Sequence, residues 1–381
     1  MYQLIQRHFI EKIMGRELSP HDKIPTEKEL TDQFGVSRIT VAKALSELTR
    51  DGWIYRIPGK GSFVAERSEG AKEPAKAPAL PMKIAEYVND RRSGMGRTPL
   101  IGFIIPHIDS MFAQRLLHGV QTAVENAGYR LVVMFSDNFN DKERVAIVEL
   151  LDMGVSGLII FPTDETHYND DILILKLAGF PFVLVDRYLP GIETNLVCSD
   201  NVKAARKAVS YLWELGHRQI AICSNFRDQS VNTQDRIRGY MDELKARGAL
   251  INPDLIITEA EDPENPEGEV LRCLQKHRAT ALIVMHCNFG MKLYREAAAR
   301  GFDIPRDLSL LTFDNPIPVP GVADFTHVSQ NEERMGAVAA DILLRKLRGE
   351  PSENGTERII LEPEIRIGST TGSPPRKSSE K

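Results

Sequence analysis

The chain has 381 residues, of which 42% are hydrophobic and 27% are charged, and its formal net charge is -5. The length predicts two or three structural units, and the composition is that of an ordinary globular protein. No apolar run approaches the roughly 20 residues that cross a bilayer. Residues 1–18 alternate apolar and charged positions, unlike a signal peptide. We therefore expect a cytoplasmic protein with no membrane partner, in which any nucleic-acid site is local because the whole chain is acidic.

The sequence offers no pattern for metal, cofactor or covalent chemistry. The cysteines Cys198, Cys223, Cys273 and Cys287 form no CxxC pair, so we expect buried thiols rather than disulfides or a zinc site. The nine histidines are scattered. The motifs GxSxG and HExxH are absent, as is a GxGxxG after a strand. We therefore expect no metal, no cofactor and no enzyme activity.

The first 66 residues carry the spacing of three helices. Residues 2–15 have an apolar stripe at helical spacing, which predicts a first helix. Thr26, with Glu29 three positions later, forms a capping box that opens a second helix. Gly35 ends the second helix, and Ser37 caps the third after a tight turn. Two short helices joined by a glycine turn predict a helix-turn-helix.

The third helix and the residues after it offer groups for binding DNA. Arg38, Thr40 and Lys43 lie near the start of that helix, the part that enters the major groove in helix-turn-helix proteins. Arginine donates two hydrogen bonds to guanine, and threonine contacts phosphate or a thymine methyl group. Residues 53–57 and 62–64 predict two strands around a glycine-rich turn. This wing carries Arg56, Gly59 and Lys60.

The segments IPTEKEL, FGVSRITVAKAL and GWIYRIPGKGSFV follow one another within residues 2–65. In these segments the block resembles the GntR family of bacterial regulators. The resemblance implies a winged helix-turn-helix that binds double-stranded operator DNA. Many members have arginine where this chain has Ala42, which leaves the preferred operator open. The family's DNA contacts fall on Lys28, Ser37, Arg38, Thr40 and Gly59.

Residues 67–98 are rich in Ala, Pro, Lys and Glu and predict a linker. From residue 99 to 370, short apolar runs alternate with amphipathic helical stretches, which predicts parallel sheets covered by helices. Eight or more strands exceed one simple sheet, so two similar α/β lobes fit better. We expect a disordered tail at residues 371–381. The clearest strand segments are LIGFII, LVVMF, GLIIF, FVLVD, IAIC, ALIVM and LSLLTF.

Polar side chains follow several of these strands, where ligands of open α/β sheets bind. Arg236 is expected to open a helix, Gln330 lies near a crossover between the lobes, and Phe112, with Met111 as an alternative, offers a flat apolar surface for a sugar ring. Carboxylates, amides and guanidinium groups pair with sugar hydroxyls. The residues that come after the strands, directly or within a few positions, are Asp109, Asp186, Arg187, Asn288 and Asp314.

Ten segments within residues 99–369, among them GVSGLIIFP, PFVLVDR, DRIRGY and IPRDLSLLTFDN, occur in order. In them the block resembles the LacI-family effector domain and the periplasmic sugar-binding proteins. The resemblance implies a two-lobed type I periplasmic-binding-protein fold. Relatives usually have Asn-Asp where this chain has Asn288-Phe289, so ligand identity does not transfer. The family's sugar contacts fall on Asp109, Phe112, Asp186, Arg187, Arg236, Asn288, Asp314 and Gln330.

A GntR-like head on a LacI-like body is typical of arabinose-repressor-like regulators. We therefore expect a bacterial repressor of sugar-utilisation genes that a pentose or hexose releases from its operator. Helix-turn-helix dimers match palindromic half-sites, which predicts a homodimer. By resemblance, the dimer faces lie near helix Phe112–Gly128 and the helices after the second and eighth strands. The alternatives are a phosphosugar or non-sugar effector, and a sugar-binding protein without a DNA role.

Overall fold

We describe the chain from a computed structural model. It describes residues 98–163, 169–224, 230–259, 262, 264–350 and 355–375, and within the first 65 residues it describes positions 9, 12–13, 18–26, 29–31, 41, 45, 48–49, 53–57 and 61–65. The chain divides into two compact units, Met1–Pro78 and Ala79–Lys381. None of the described helices is long and apolar enough to span a bilayer.

The first unit contains a three-stranded antiparallel sheet in the order β1-β3-β2, formed by β1 (Lys23–Ile24), β2 (Ile54–Ile57) and β3 (Gly61–Val64). The strands β2 and β3 confirm the predicted wing, whereas β1 was not predicted. The capping box is confirmed, because Thr26 N donates to Glu29 Oε2 over 2.7 Å and Glu29 N donates to Thr26 Oγ1 over 3.3 Å. The buried core is Phe9, Ile24, Leu30, Val41, Leu45, Leu48, Ile54 and Val64.

The second unit begins with a lobe built on a six-stranded parallel sheet in the order β5-β4-β6-β7-β8-β14. Its buried apolar strands are packed between two layers of helices, as the continuous apolar runs predict. The strands are β4 (Leu100–Ile105), β5 (Arg130–Phe135), β6 (Gly157–Ile160), β7 (Phe182–Val185), β8 (Leu196–Ser199) and β14 (Arg358–Leu361). The helices are α1 (Met111–Asn126) and α8 (Glu332–Leu347) on one face, and α2 (Asn140–Asp152) and α3 (Asp170–Leu177) on the other.

The second lobe repeats this topology in the order β10-β9-β11-β12-β13-β15, with only β15 antiparallel. Two similar lobes are therefore confirmed. The strands are β9 (Ile220–Cys223), β10 (Ile256–Ile257), β11 (Ala281–Val284), β12 (Ser309–Phe313), β13 (Thr326–Ser329) and β15 (Glu364–Arg366). The helices are α4 (Asn201–Glu214) and α5 (Val231–Ala246) on one face, and α6 (Pro266–Lys276) and α7 (Cys287–Ala299) on the other.

Helices α1 and α8 cross in close contact through two glycines. A Cβ atom on Gly119 would lie 2.0 Å from the backbone oxygen of Glu333, and one on Gly336 would lie 2.2 Å from the backbone oxygen of Leu116. Real Cβ atoms do not approach a backbone oxygen this closely, so these positions set the distance between the helices.

The segment around residue 372 differs from the predicted disordered tail. Tyr211 and Thr371 share a hydrogen bond of 2.8 Å between their hydroxyls, and the Gly372 carbonyl lies 2.9 Å from Nε2 of the buried His217. The boundary at 371 was wrong, because residues 371–372 are fixed against α4 and the segment that follows it. Residues 376–381 lie outside the described part of the chain.

The chain passes between the lobes three times, at residues 199–201, 329–332 and 361–364. Side chains tie these crossovers together. Glu362 in the third accepts hydrogen bonds from Lys203 and Lys207 of α4, each over 2.6 Å. Its backbone oxygen accepts from Asn331 Nδ2 in the second crossover over 2.7 Å. The connections between the lobes therefore form one cluster.

Candidate ligand-binding site

A cavity of about 610 Å³ lies between the two lobes, at the carboxyl ends of their strands. This is where ligands bind in open α/β sheets. Every residue that the sequence predicted for the ligand lines this cavity, although binding itself stays a prediction. These residues are Asp109, Phe112, Asp186, Arg187, Arg236, Asn288, Asp314 and Gln330.

Asp186 and Asp314 occupy matching places in the two lobes. Each is the residue directly after the fourth strand of its sheet, and each has a left-handed backbone, with φ of 64° and 61°. The Asp186 amide donates to the Val197 carbonyl over 2.8 Å, and the Asp314 amide donates to the Val328 carbonyl over 3.0 Å. A non-glycine residue with positive φ is strained, and such residues cluster at functional sites. The fold thus presents one carboxylate from each lobe to the cavity.

Arg236 and Gln330 hold the carboxylate of the second lobe. Gln330 Nε2 donates to both carboxylate oxygens of Asp314, over 2.9 and 3.0 Å. Arg236 donates from Nη2 to Gln330 Oε1 over 3.3 Å and from Nη1 to the Met285 carbonyl over 2.8 Å. It also donates from Nε to Asn201 Oδ1 over 2.7 Å. Since Asn201 and Gln330 lie in two different crossovers, Arg236 connects the cavity to the hinge.

The position of Arg236 corrects one prediction. It does not open a helix, because α5 is capped by Ser230 and Arg236 lies in its second turn. Its guanidinium lies over the Phe313 ring, 4.0 Å from the ring centre. Such a contact stabilises a buried cation.

The first lobe supplies the aromatic surface. Phe112 packs edge-on against Phe161 with ring centres 6.0 Å apart, and both line the cavity. Met111, the alternative to Phe112, is not among the lining residues. Arg187 lies over Phe161 at 4.7 Å and donates to the Pro162 carbonyl over 2.7 Å. A sugar ring needs such an apolar face beside polar groups.

Asp109 and Asn288 lie at the solvent-exposed part of the lining. Asn288 Nδ2 donates to the backbone oxygen of Asp109 over 3.4 Å, which joins the two lobes. The Asp109 carboxylate pairs with His107 over 3.3 Å, and both side chains are exposed. These two residues belong to the entrance, whereas the buried carboxylates form the base.

Sequence reasoning missed Asn232 and Phe161 and treated Phe289 only as a departure from the family pattern. All three line the cavity. Asn232 has a recognisable signal, because it lies four residues before Arg236 and therefore on the same face of α5. Phe161 directly follows β6, and the other candidate residues were likewise identified by their positions after strands. Phe289 places an apolar ring where relatives have a carboxylate.

Burial shapes the electrostatics of the site. Burial raises the pKa of Asp314 above its usual range, Glu332 adds to the rise, and Arg236 and Gln330 oppose it. Burial raises the pKa of the Cys287 thiol to about 12, so this lining cysteine is a poor nucleophile. All four cysteines are free and all but the half-buried Cys273 are buried. Among the described residues, no group of acidic, histidine and cysteine side chains is arranged to hold a metal.

The predicted DNA contacts stay predictions. Arg56 lies on β2, where it pairs with Ser62. The other predicted residues lie outside the described part of the chain. They are Lys28, Ser37, Arg38, Thr40, Lys43, Gly59 and Lys60.

Comparison with known proteins matches both parts of the chain. The family "Bacterial regulatory proteins, gntR family" matches residues 1–64, and the periplasmic binding protein-like domain matches residues 209–371. The arabinose metabolism transcriptional repressor of Halalkalibacterium halodurans is 27% identical, covering 97% of this chain and 96% of that protein. The regulator PtxS of Pseudomonas plecoglossicida is 29% identical over 94% of this chain and 99% of its own.

A solved complex of the transcriptional regulator CelR with cellobiose has the same fold, with a TM-score of 0.63. The likeness covers 91% of this chain and all of that one at 20% sequence identity. Together the comparisons account for both the winged helix-turn-helix and the two lobes. The chain therefore combines an N-terminal domain that matches the gntR family of bacterial regulatory proteins with a second domain that matches the periplasmic binding protein-like domain.

Proposed function

We propose that this protein is a transcriptional repressor of sugar-utilisation genes, released from its operator by a pentose or hexose bound between the lobes. The observation that carries the proposal is the cavity that holds a carboxylate from each lobe, two arginines and three phenylalanine rings. Carboxylates and arginines pair with vicinal hydroxyls, and the rings cover an apolar sugar face. The GntR-type head supplies the DNA-binding domain.

Arabinose is the first effector to test. Two relatives that align over nearly the whole chain are named arabinose metabolism transcriptional repressors, one from Halalkalibacterium halodurans and one from Geobacillus stearothermophilus. The apolar Phe289 sets this cavity apart from the pattern that the family resemblance implies. The effector therefore has to be found by a panel rather than assumed.

Lobe closure provides the physical route from sugar to DNA. Asp186 accepts from Asn232 over 2.8 Å, and Tyr188 donates to Asp235 over 3.2 Å, each bond crossing the cleft. A ligand that contacts both lobes favours this closed arrangement over an open one. Operator affinity then changes only by the difference in the ligand's affinity for the two states, typically about 1–3 kcal/mol.

A homodimer would transmit that closure to the paired DNA heads. The edge strand β5 and the helix α2 that follows it expose large apolar side chains, namely Phe135, Phe139, Val145 and Met153. Exposed apolar patches are typical of protein interfaces. This face includes the helix after the second strand, which the family resemblance favours. Residues 67–98 connect the head to this body.

A phosphorylated or acidic sugar is the second candidate effector. Lys292 is an exposed residue of the cavity lining, which also contains His107 and His286. A cation there suits an anionic substituent on a sugar whose hydroxyls lie deeper. Sugar acids and sugar phosphates therefore belong in the same panel.

The test is fluorescence anisotropy of the full-length protein with DNA from upstream of its own gene, at two salt concentrations, with and without each sugar. We expect salt-sensitive binding that one sugar weakens at least fivefold. R38A is the control for the head and should lose specific binding without losing sugar binding. If the protein binds the DNA specifically and no sugar or sugar phosphate changes this binding, the proposed effector is wrong. If it does not bind the DNA specifically, the proposed repressor function is wrong.

A further inference from the structure

Asn232 occupies the seam between the lobes. It lies in the first turn of α5 in the second lobe, it is buried, and it lines the cavity. Its Nδ2 donates to Asp186 Oδ2 of the first lobe over 2.8 Å. A side chain from one lobe thus binds the ligand-facing carboxylate of the other.

The chemistry of that contact fixes which way the amide points. An ionised carboxylate only accepts hydrogen bonds, whereas an asparagine amide has a donating nitrogen and an accepting oxygen. Asn232 must therefore turn its nitrogen toward Asp186. Its oxygen, Oδ1, is left to face another group.

That oxygen lacks a donor. Oδ1 of Asn232 is buried, and none of the residues that the structure describes donates a hydrogen bond to it. Leaving a buried acceptor unsatisfied is costly, and native proteins rarely leave one without a reason. Within the described residues, this acceptor at the cavity wall is therefore left without a hydrogen-bond donor.

We infer that Asn232 binds a hydroxyl group of the effector between the lobes and so discriminates between effectors. The hydroxyl donates to Asn232 Oδ1 and so completes the contact that Asn232 makes with Asp186. A ligand with a donor at this position supplies the hydrogen bond that Asn232 Oδ1 needs in the closed arrangement. A ligand without one leaves this acceptor unsatisfied. The inference rests on the proposed function, since it assigns a specificity-determining residue to the same cavity.

The test compares the parent sugar with analogues that lack one donor each. Arabinose and its monodeoxy and monofluoro analogues, one ring position at a time, are titrated into the full-length wild type, N232A and Q234A by calorimetry. Gln234 is exposed on the same helix and does not line the cavity. If arabinose does not bind, the sugar of the panel that does replaces it.

For the wild type we expect one position at which removal of the hydroxyl weakens binding at least tenfold. In N232A the parent sugar should bind more weakly, and the ratio of the Kd of the analogue to the Kd of the parent sugar should fall to about one at that position. In Q234A this ratio should stay at the wild-type value. Purely structural damage weakens all ligands alike and leaves the ratio unchanged. Should N232A fail to fold, Asn232→Leu, which keeps a similar shape but carries no hydrogen-bond acceptor, serves in its place.

The outcomes separate the two proposals. If the wild type binds a sugar and the penalties in N232A equal those of the wild type at every position, the inference about Asn232 is wrong and the proposed function stands. If the wild type binds no sugar of the panel, the proposed function fails, and the inference fails with it.

Discussion

Replacing Arg236 with methionine tests the buried network at its centre. Methionine keeps most of the apolar stem but removes donors to Asn201, Gln330 and the Met285 carbonyl. Each buried acceptor that is left without a donor lowers the free energy of unfolding by about 1–3 kcal/mol, although relaxation of the neighbouring side chains recovers part of the total. Removing one partner of a buried charged network costs about 3–5 kcal/mol. We therefore expect R236M to lose about 3–5 kcal/mol of the free energy of unfolding.

Urea denaturation and calorimetric melting measure this loss, which corresponds to a fall in Tm of roughly 10 °C for a unit of this size. Sugar affinity should fall at least 100-fold, because the guanidinium lines the cavity and its partner Gln330 holds the Asp314 carboxyl. Arg238 offers a matched control on the same helix. It is exposed and, among the residues that the structure describes, its ion-pair partner is the nearby Asp235 over 2.8 Å, so R238M should cost less than about 1 kcal/mol. If R236M proves as stable as R238M, the network does not hold the domain as argued.

Three further changes probe other parts of the chain. Gly119→Ala should destabilise by about 3 kcal/mol in urea, because its Cβ would meet the Glu333 carbonyl at 2.0 Å, while Gln121→Ala on the exposed face of α1 should be neutral. Burial raises the pKa of Glu143 from 4.5 to about 7, so wild-type stability should fall by about 3 kcal/mol relative to E143Q as pH rises from 4.5 to 8. Parallel pH profiles of the two proteins would refute this. Thr26→Ala should cost the head about 1 kcal/mol, read by hydrogen exchange in the helix that it caps.

The residues that line the cavity were predictable because a fold of this kind places the ends of its strands at the cleft. Asp186 and Asp314 directly follow long apolar runs, and the carboxyl ends of parallel strands face the cleft. In a chain that alternates apolar strand segments with helices, the positions after the strands can be identified from the order of the segments alone. The capping box at Thr26 is similarly local, since its geometry depends on residues three apart.

Other features depend on contacts between distant residues and left no local pattern. Strands β10 and β15 have two and three residues, too few to show a period. Asn232 acts through Asp186, which is 46 positions away and in the other lobe. The tail was misjudged because its polar composition suggests disorder, whereas Thr371 and Gly372 bond to Tyr211 and His217.

The two-lobed architecture places one arginine where we expect it to affect both ligand binding and lobe movement. Arg236 donates to Asn201 in the first crossover and to Gln330 in the second, while Gln330 donates to Asp314 in the cavity. A ligand that binds Arg236 or Asp314 is therefore connected by hydrogen bonds to two of the three crossovers between the lobes. The third is bound to them through Glu362. Closure then requires these bonds to rearrange together, which is the condition for two discrete states that a sugar can bias.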